Sequence, residues 1–324
     1  MRTVPGPLFR ILLLLGLLLG CDSRDASQVV DLGHRAALPP GPPARDRPPE
    51  ELRMGFDLRA SPTEDARQYL PLIAYLEQAT GLRIGLEILP AGDNAGYALA
   101  EGRLDVAFVG GFSYVQARQR ARIHPLAHGR DARGEPTYRA VIVVRPDSSL
   151  WHLGQLRGRR FAFGAWNSTQ GHLIPRVMLY EAGIGLDELA SADFYGSHRR
   201  CADAVIGHRA DACGMQETMA RDLAGAGLLR VLAVSDRWPS SGVFASDRVP
   251  AAARERLREA LLAFDPAGPL PVPLHDWERT EMAGGFAPAD AADWDRVESW
   301  MRRFGLLGGH PDVSGGGSGR GGSP

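Results

Sequence analysis

Three consecutive polar residues, Ser168, Thr169 and Gln170, carry side chains well suited to binding a small anion. Two hydroxyls and an amide offer hydrogen-bond donors, and they precede a segment with a helical pattern. The first turn of a helix adds unpaired backbone N–H groups and about half a positive charge, which together favour an oxyanion. The alternative is a simple cap, in which Ser168 or Thr169 bonds only to the helix backbone.

The surrounding residues 161–183 predict a strand, a polar loop and a helix. An apolar run from Phe161 predicts the strand, and Gly183 stands where a C-cap glycine belongs. Pro175 fits a helix only in its first turn. The helix is predicted from apolar residues at one-turn spacing: Leu173, Ile174, Val177 and Met178. These elements place residues 168–170 at the mouth of the helix.

The composition is that of an ordinary globular protein. The chain has 324 residues, of which 44% are hydrophobic and 23% charged, and its net charge is −1. This balance indicates neither a nucleic acid nor an acidic macromolecule as partner. We found no cofactor motif, and we expect no cofactor.

The N-terminus is typical of a secretory signal peptide. Arg2 and Arg10 precede the apolar residues 11–19, a run well short of the roughly 20 residues that a spanning helix needs. It ends in Leu-Leu-Gly-Cys at Cys21, which resembles the bacterial lipobox, although a chance cysteine beside an ordinary cleavage site is the alternative. We therefore expect lipidation at Cys21 and an anchored protein on the periplasmic side of the envelope. Asp22, the next residue, favours retention of the lipoprotein at the inner membrane.

The two ends of the chain are not expected to join the fold. Residues 1–20 form the signal peptide, the proline-rich residues 21–50 predict a tether, and the glycine-rich residues 308–324 predict a disordered tail. Cys201 and Cys213 are too far apart for a C-x-x-C motif. They could form a disulfide in an oxidising compartment or remain buried thiols.

Helix and strand patterns alternate through residues 51–307. Ser61-Pro62 followed by Glu64 predicts a capped helix start, and residues 138–144 predict one long strand. The alternation predicts an α/β fold with mostly parallel sheet. Residues 98–107 and 204–213 share a helix end, an arginine turn and an aspartate that opens a small-residue strand. This repeat favours two similar lobes that face a shared crevice.

Four segments resemble the periplasmic phosphate/phosphonate-binding proteins of ABC importers, over about residues 52–264. The segments are D-V-A-F-V-G at 105–110 with F-S-Y-V at 112–115, G-E-P-T-Y-R at 134–139, N-S-T-Q-G at 167–171 with Pro175, and G-S-H at 196–198. The resemblance implies a type II periplasmic-binding fold whose hinged lobes close over a small phosphorus oxyanion: phosphate, phosphite or phosphonate. It also implies an inner-membrane ABC permease as partner, and no catalysis.

The same resemblance implies a division of the chain and a set of site residues. Residues 51–139 would begin lobe 1, residues 140–239 would form lobe 2, and residues 240–307 would return to lobe 1 with the C-terminal helices. The implied ligand-binding residues are Ser168 and Thr169 at the helix mouth, Gln170 in place of a third hydroxyl, His198 from the next loop, Tyr138 from the hinge, and Ser113 at another helix start, where capping is the ordinary role.

The sequence also departs from the family pattern. Residues 91–94 lack the tyrosine that the family places after its second strand. Residues 239–242 lack the acidic residue found in binders of aminoalkyl phosphonates. Glu217 lies one position from a second acidic site of those binders, and as a candidate ligand-binding residue it could partly compensate. We therefore expect a preference for a compact oxyanion over an aminoalkyl phosphonate.

Three other functions are compatible with parts of the same sequence. A hydrolase would use Ser168 as nucleophile and His198 as base, but the G-x-S-x-G elbow is absent. His124 and His128 have the spacing of a helical metal pair, but Pro125 between them disfavours a helix. A ligand sensor that docks onto a histidine kinase would have the same fold, and the sequence does not separate it from an importer.

Overall fold

The structure is a computed structural model that describes residues 51–57, 61–90 and 93–308. The predicted signal peptide, Cys21, the predicted tether and residues 309–324 of the predicted tail lie outside this part of the chain. None of the helices it contains has both the length and the apolar character that a membrane span requires.

The described residues form the following elements. The strands are β1 (Glu51–Phe56), β2 (Arg83–Leu86), β3 (Val106–Val109), β4 (Ile123–Gly129), β5 (Thr137–Tyr138), β6 (Ala140–Val144), β7 (Arg160–Phe163), β8 (Ser191–Phe194), β9 (Ala212–Gln216), β10 (Arg230–Val234), β11 (Trp238–Pro239), β12 (Gly242–Ser246) and β13 (Phe286–Ala287). The α-helices are α1 (Pro62–Thr80), α2 (Ala95–Glu101), α3 (Gly111–Arg118), α4 (Ile174–Glu181), α5 (His198–Ile206), α6 (Glu217–Gly225), α7 (Ala251–Leu262) and α8 (Asp295–Arg303).

Two sheets define two lobes. Lobe 1 is built on the sheet β13-β4-β12-β3-β1-β2, and lobe 2 on the sheet β10-β6-β9-β7-β8. The short strands β5 and β11 pair with each other and lie on the two chain segments that connect the lobes. The predicted two-lobed α/β fold is confirmed.

The prediction of mostly parallel sheet is wrong in its detail. β1 is parallel to β2 and β3, and β7 is parallel to β8 and β9. However, β6 is antiparallel to β9 and β10, and β12 is antiparallel to β3 and β4. Both of these strands come directly from the other lobe without a crossover helix, so their direction is not fixed by a βαβ unit.

The predicted long strand at residues 138–144 is divided at Arg139. Tyr138 pairs with Trp238 in the connecting ribbon, whereas Ala140 pairs with Gln216 inside lobe 2. The continuous β-type pattern therefore covers two strands of different sheets, because the chain crosses between lobes without leaving an extended conformation.

The internal repeat has a structural counterpart in each lobe. In lobe 1 the backbone N–H of Arg53 donates to Asp105 Oδ2 at 2.8 Å, and in lobe 2 that of Arg160 donates to Asp211 Oδ2 at 2.9 Å. Each arginine side chain also bonds to the same aspartate. The Arg160 guanidinium holds the pKa of Asp211 below its ordinary value, chiefly through this hydrogen bond. The repeat therefore fixes the start of β3 and of β9 in the same way.

A disulfide joins Cys201 to Cys213, with a Cα–Cα distance of 5.9 Å. Both residues are fully buried. The bond ties α5 to the strand β9 at the centre of lobe 2, and it answers the question that the sequence left open. Since α5 begins at His198, the disulfide also restrains the helix that carries this candidate ligand.

Candidate functional site

The mouth of the predicted helix is formed by a π-helical turn, Thr169–Leu173, that leads into α4. Ser168 is its N-cap, and the backbone N–H of Gly171 donates to Ser168 Oγ at 2.8 Å. Pro175 lies in the first turn of α4, as predicted. π-Helical turns are rare and concentrate at functional sites, since the wider turn re-aims the side chains at the helix start.

Thr169 reaches from lobe 2 to lobe 1. Its side chain is almost completely buried, and the backbone N–H of Phe112 donates to Thr169 Oγ1 at 2.9 Å. Phe112 lies in the first turn of α3, so the mouths of two helices meet at this hydroxyl. Thr169 therefore lies at the junction of the lobes.

Gln170 connects the helix mouth to the segment between the lobes. Its Nε2 donates to the carbonyl oxygen of Arg139 at 2.9 Å. Arg139 directly follows Tyr138, whose ring is buried in the connecting ribbon. Gln170 therefore contacts the backbone of the residue that directly follows Tyr138, so both candidate residues lie where the chain crosses between the lobes.

His198 lies beside Ser168 because the residue between them is a glycine. A Cβ atom added to Gly171 would lie 2.9 Å from Ser168 Oγ and 3.0 Å from His198 Cε1. His198 is the first residue of α5, which is capped by Ser197, and it is 8% exposed. The imidazole is thus held at the mouth of the π-helical turn, next to Ser168 and Gly171.

Ser113 belongs to a hydrogen-bonded group that sequence reasoning identified only in part. Its hydroxyl donates to Asp57 Oδ2 at 2.8 Å and accepts from Asn167 Nδ2 at 3.0 Å. The backbone N–H of Gly110 also donates to Asp57 Oδ2, at 3.4 Å. A carboxylate from lobe 1 therefore lies at the mouth of α3, in contact with the lobe 2 residue that precedes Ser168.

Asp57 was missed by sequence reasoning, although a signal was present. It is the first residue after β1, a strand that is parallel to its neighbours, and ligands of open α/β sheets bind beyond the carboxyl ends of such strands. Ser241 lies at the same edge, since it precedes the antiparallel strand β12. Asp57 and Ser241 therefore lie at the same edge of the lobe 1 sheet.

Glu217 is not brought to these residues by any described contact. It begins α6 and forms an i, i+4 ion pair with Arg221 at 3.0 Å, and its side chain is 38% exposed. Its role in ligand binding stays a prediction.

His124 and His128 each contact a different aspartate. His124 Nε2 lies 2.7 Å from Asp247 Oδ1, and His128 Nε2 lies 2.9 Å from Asp293 Oδ2. The hydrogen bond from His124 holds the pKa of Asp247 below its ordinary value. Both histidines lie on the extended strand β4, so the helical geometry of a metal pair is absent there.

Two lobes, two crossing strands and hydrogen-bond donors at the junction define a type II periplasmic-binding fold. Solved structures show the same fold. PhnD1 of Prochlorococcus marinus, in complex with methylphosphonate, superposes with a TM-score of 0.70 at 20% identity, over 80% of this chain and 100% of that one. The binding-protein component of an ABC phosphonate transporter from Pseudomonas aeruginosa has a TM-score of 0.66 at 17% identity, over 78% and 85%.

The sequence comparisons give the family. The profile described as "ABC transporter, phosphonate, periplasmic substrate-binding protein" matches residues 54–294. This chain belongs to that family. The phosphate-import protein PhnD of Mycolicibacterium smegmatis is 31% identical over 194 residues, which cover 54% of this chain and 60% of that protein. The chain thus aligns with less than two thirds of this relative's length.

Proposed function

We propose that the protein is the substrate-binding lipoprotein of an ABC importer, and that it captures a small phosphorus oxyanion in the cleft between its lobes. The observation that carries the proposal is the meeting of Ser168, Thr169 and His198 at the mouth of a π-helical turn. The names of the relatives, a phosphate-import protein and a structure with methylphosphonate, support the same ligand class.

The proposed binding mode divides the anion's oxygens among donors on both lobes. Ser168 and Thr169 would donate their hydroxyl protons to ligand oxygens, with further donation from the backbone at the helix mouth. His198 would donate a ring N–H from the adjacent helix, and Tyr138 its phenol from the hinge. Thr169 already bridges the lobes through Phe112, so a ligand at this point contacts both lobes and favours their closure.

We propose binding without catalysis. Ser168 Oγ accepts the backbone N–H of Gly171 as a helix cap, and this explains the hydroxyl without a nucleophilic role. The proposed lobes are residues 51–139 with 240–307, and residues 140–239. The proposed partner is an inner-membrane permease; neighbouring permease and ATPase genes would support import, and a two-component gene pair would support the histidine-kinase alternative.

The lipid anchor at Cys21 is tested by Cys21→Ser. The variant should be released from the membrane fraction or remain unprocessed. Recovery of the variant with the membranes at the mature mass of the wild type would exclude the anchor.

Calorimetry tests the ligand class. The purified chain is titrated with phosphate, phosphite, methylphosphonate and 2-aminoethylphosphonate, and at least one should bind. Thr169→Val, which keeps the shape and removes the hydroxyl, should weaken that binding at least about tenfold, because a charged ligand oxygen loses its donor. Absence of binding to all four would reject the phosphorus-oxyanion proposal and leave the fold unchanged.

A further inference from the structure

Asp57 is an acidic group within an otherwise donor-rich cleft. Its Oδ2 accepts from the Ser113 hydroxyl and from the Gly110 N–H, both at the start of α3. Its Oδ1 lies 3.4 Å from Asn167 Nδ2, which comes from the lobe 2 loop that continues into Ser168. The carboxylate is therefore fixed at the junction of the lobes by groups from both sides.

The position of this carboxylate overlaps the proposed anion site. Asp57 and Thr169 accept from the backbone N–H groups of Gly110 and Phe112, two residues apart at the mouth of the same helix. An oxyanion that contacts Thr169 consequently lies within about one helical turn of Asp57. A fully deprotonated oxyanion would face a carboxylate there, and such like-charge contacts are strongly unfavourable in a buried site.

We propose that Asp57 is a specificity-determining residue that accepts a hydrogen bond from the ligand's own hydroxyl. The inference rests on the proposed function, and it names the ligand as a singly protonated phosphorus oxyanion, which brings acceptors for Ser168, Thr169 and His198 and one P–OH donor for Asp57. A sulfonate of the same shape has no such proton and is rejected. A site built to bond a ligand hydroxyl discriminates strongly against an analogue that lacks it, because a sulfonate oxygen would face the Asp57 carboxylate with no proton between them.

Methylphosphonate and methanesulfonate provide the test, since they share shape and differ in the available proton. Calorimetry on the wild-type chain should show that methylphosphonate binds at least about a hundredfold more tightly than methanesulfonate. In Asp57→Asn, which is isosteric and removes the charge, the ratio of the two affinities should fall below about tenfold, and the affinity for methanesulfonate should rise. The control is Asp193→Asn, an exposed carboxylate on β8, which should leave the ratio unchanged.

Proton uptake gives a second readout that needs no Asp57 variant. At a pH above the second pKa of methylphosphonate, the wild-type chain should take up about one proton when this ligand binds. Calorimetry in two buffers of different ionisation enthalpy measures the uptake. We assign this proton to the bound ligand and not to His198, the titratable candidate ligand at the neighbouring helix mouth. His198→Gln should therefore retain the uptake.

The outcomes separate the inference from the proposed function. If the wild-type chain binds no phosphorus oxyanion, both fail. If it binds methylphosphonate but binds methanesulfonate equally well, takes up no proton, or keeps its discrimination in Asp57→Asn, only the role of Asp57 is wrong. Tighter binding of 2-aminoethylphosphonate that depends on Asp57 would make this residue an ammonium acceptor and would also overturn the inference.

Discussion

Ser168 and His198 come together because residue 171 has no side chain. A Cβ atom on Gly171 would lie 2.9 Å from the Ser168 hydroxyl and 3.0 Å from the His198 ring. The candidate site therefore requires a glycine at position 171 in addition to the donors themselves. Both groups lie on lobe 2 next to Gly171, which brings the N-S-T-Q-G and G-S-H segments together.

Gly171→Ala should lower the affinity for methylphosphonate at least about tenfold, because the added methyl group separates His198 from Ser168. It should also lower the free energy of unfolding by about 1–3 kcal/mol, as overpacking does. Gly225→Ala is the matched control, since a Cβ at that helical position meets nothing within 4 Å. Calorimetry and denaturant titration measure the two effects; equal affinity in the two variants would contradict the packing argument.

The residues of the site differ in how far the sequence could predict them. Ser168, Thr169 and Gln170 could be predicted because helix-start chemistry is local, and the structure places them at that start. Asp57 could not be paired with its partners, which lie 56 residues away at Ser113 and 110 residues away at Asn167. Such contacts depend on the strand order of the sheets, which no local pattern specifies.

At the scale of elements, the repeated Arg–Asp contact shows why the internal similarity was informative. The match between residues 98–107 and 204–213 correctly indicated two equivalent helix–strand units. It could not show that the arginines bound by Asp105 and Asp211 are Arg53 and Arg160, which lie on the neighbouring parallel strands β1 and β7. For the same reason the antiparallel placement of β6 and β12 was missed.

Asp211→Ala should destabilise the protein by about 1.5–3 kcal/mol at neutral pH, because Arg160 loses charged hydrogen bonds from its backbone and side chain. The depressed pKa of Asp211 makes this contribution complete above the ordinary carboxyl pKa and reduces it as the pH falls through the folded-state value. Denaturant titrations at pH 7 and pH 3 should thus show a smaller difference from the wild type at pH 3.

Asp203→Ala provides the surface comparison for this experiment. Asp203 forms an exposed i, i+4 pair with Arg199, and such pairs contribute little to stability. The variant should remain within about 0.5 kcal/mol of the wild type. An equal loss in both variants, or a loss in Asp211→Ala that grows at pH 3, would contradict the assignment.

The double substitution Cys201→Ser with Cys213→Ser should cost about 2–4 kcal/mol of unfolding free energy, because the disulfide restrains the unfolded chain between α5 and β9. A reductant should destabilise the wild type by a similar amount and leave the double variant unchanged. Denaturant titration with and without reductant measures this. A wild type that is insensitive to reductant under denaturing conditions would show that the thiols are not paired.

For the whole molecule, the lobes are connected twice through the β5–β11 ribbon and touch again at the cleft. The ribbon pairs Tyr138 with Trp238, and the cleft contact includes the bond between Phe112 and Thr169. The two-lobed organisation was predictable from the repeat and from the alternation of helix and strand. The exact position of the crossing, at Arg139, could not be predicted, because one extended segment runs through both β5 and β6.

Ligand binding should make the molecule more compact, since the proposed donors come from both lobes. Small-angle scattering should therefore show a smaller radius of gyration with saturating methylphosphonate than in matched buffer. Thr169→Val should reduce the change at the same ligand concentration. An identical radius with and without saturating ligand would contradict hinge closure.

A crystal structure with bound methylphosphonate tests the central claim most directly. We predict the anion in the cleft, with its oxygens at about 2.5–3.2 Å from the hydroxyls of Ser168 and Thr169 and from a ring nitrogen of His198. An anion bound outside the cleft, or inside it without contact to the π-helical turn and its cap, would contradict the account.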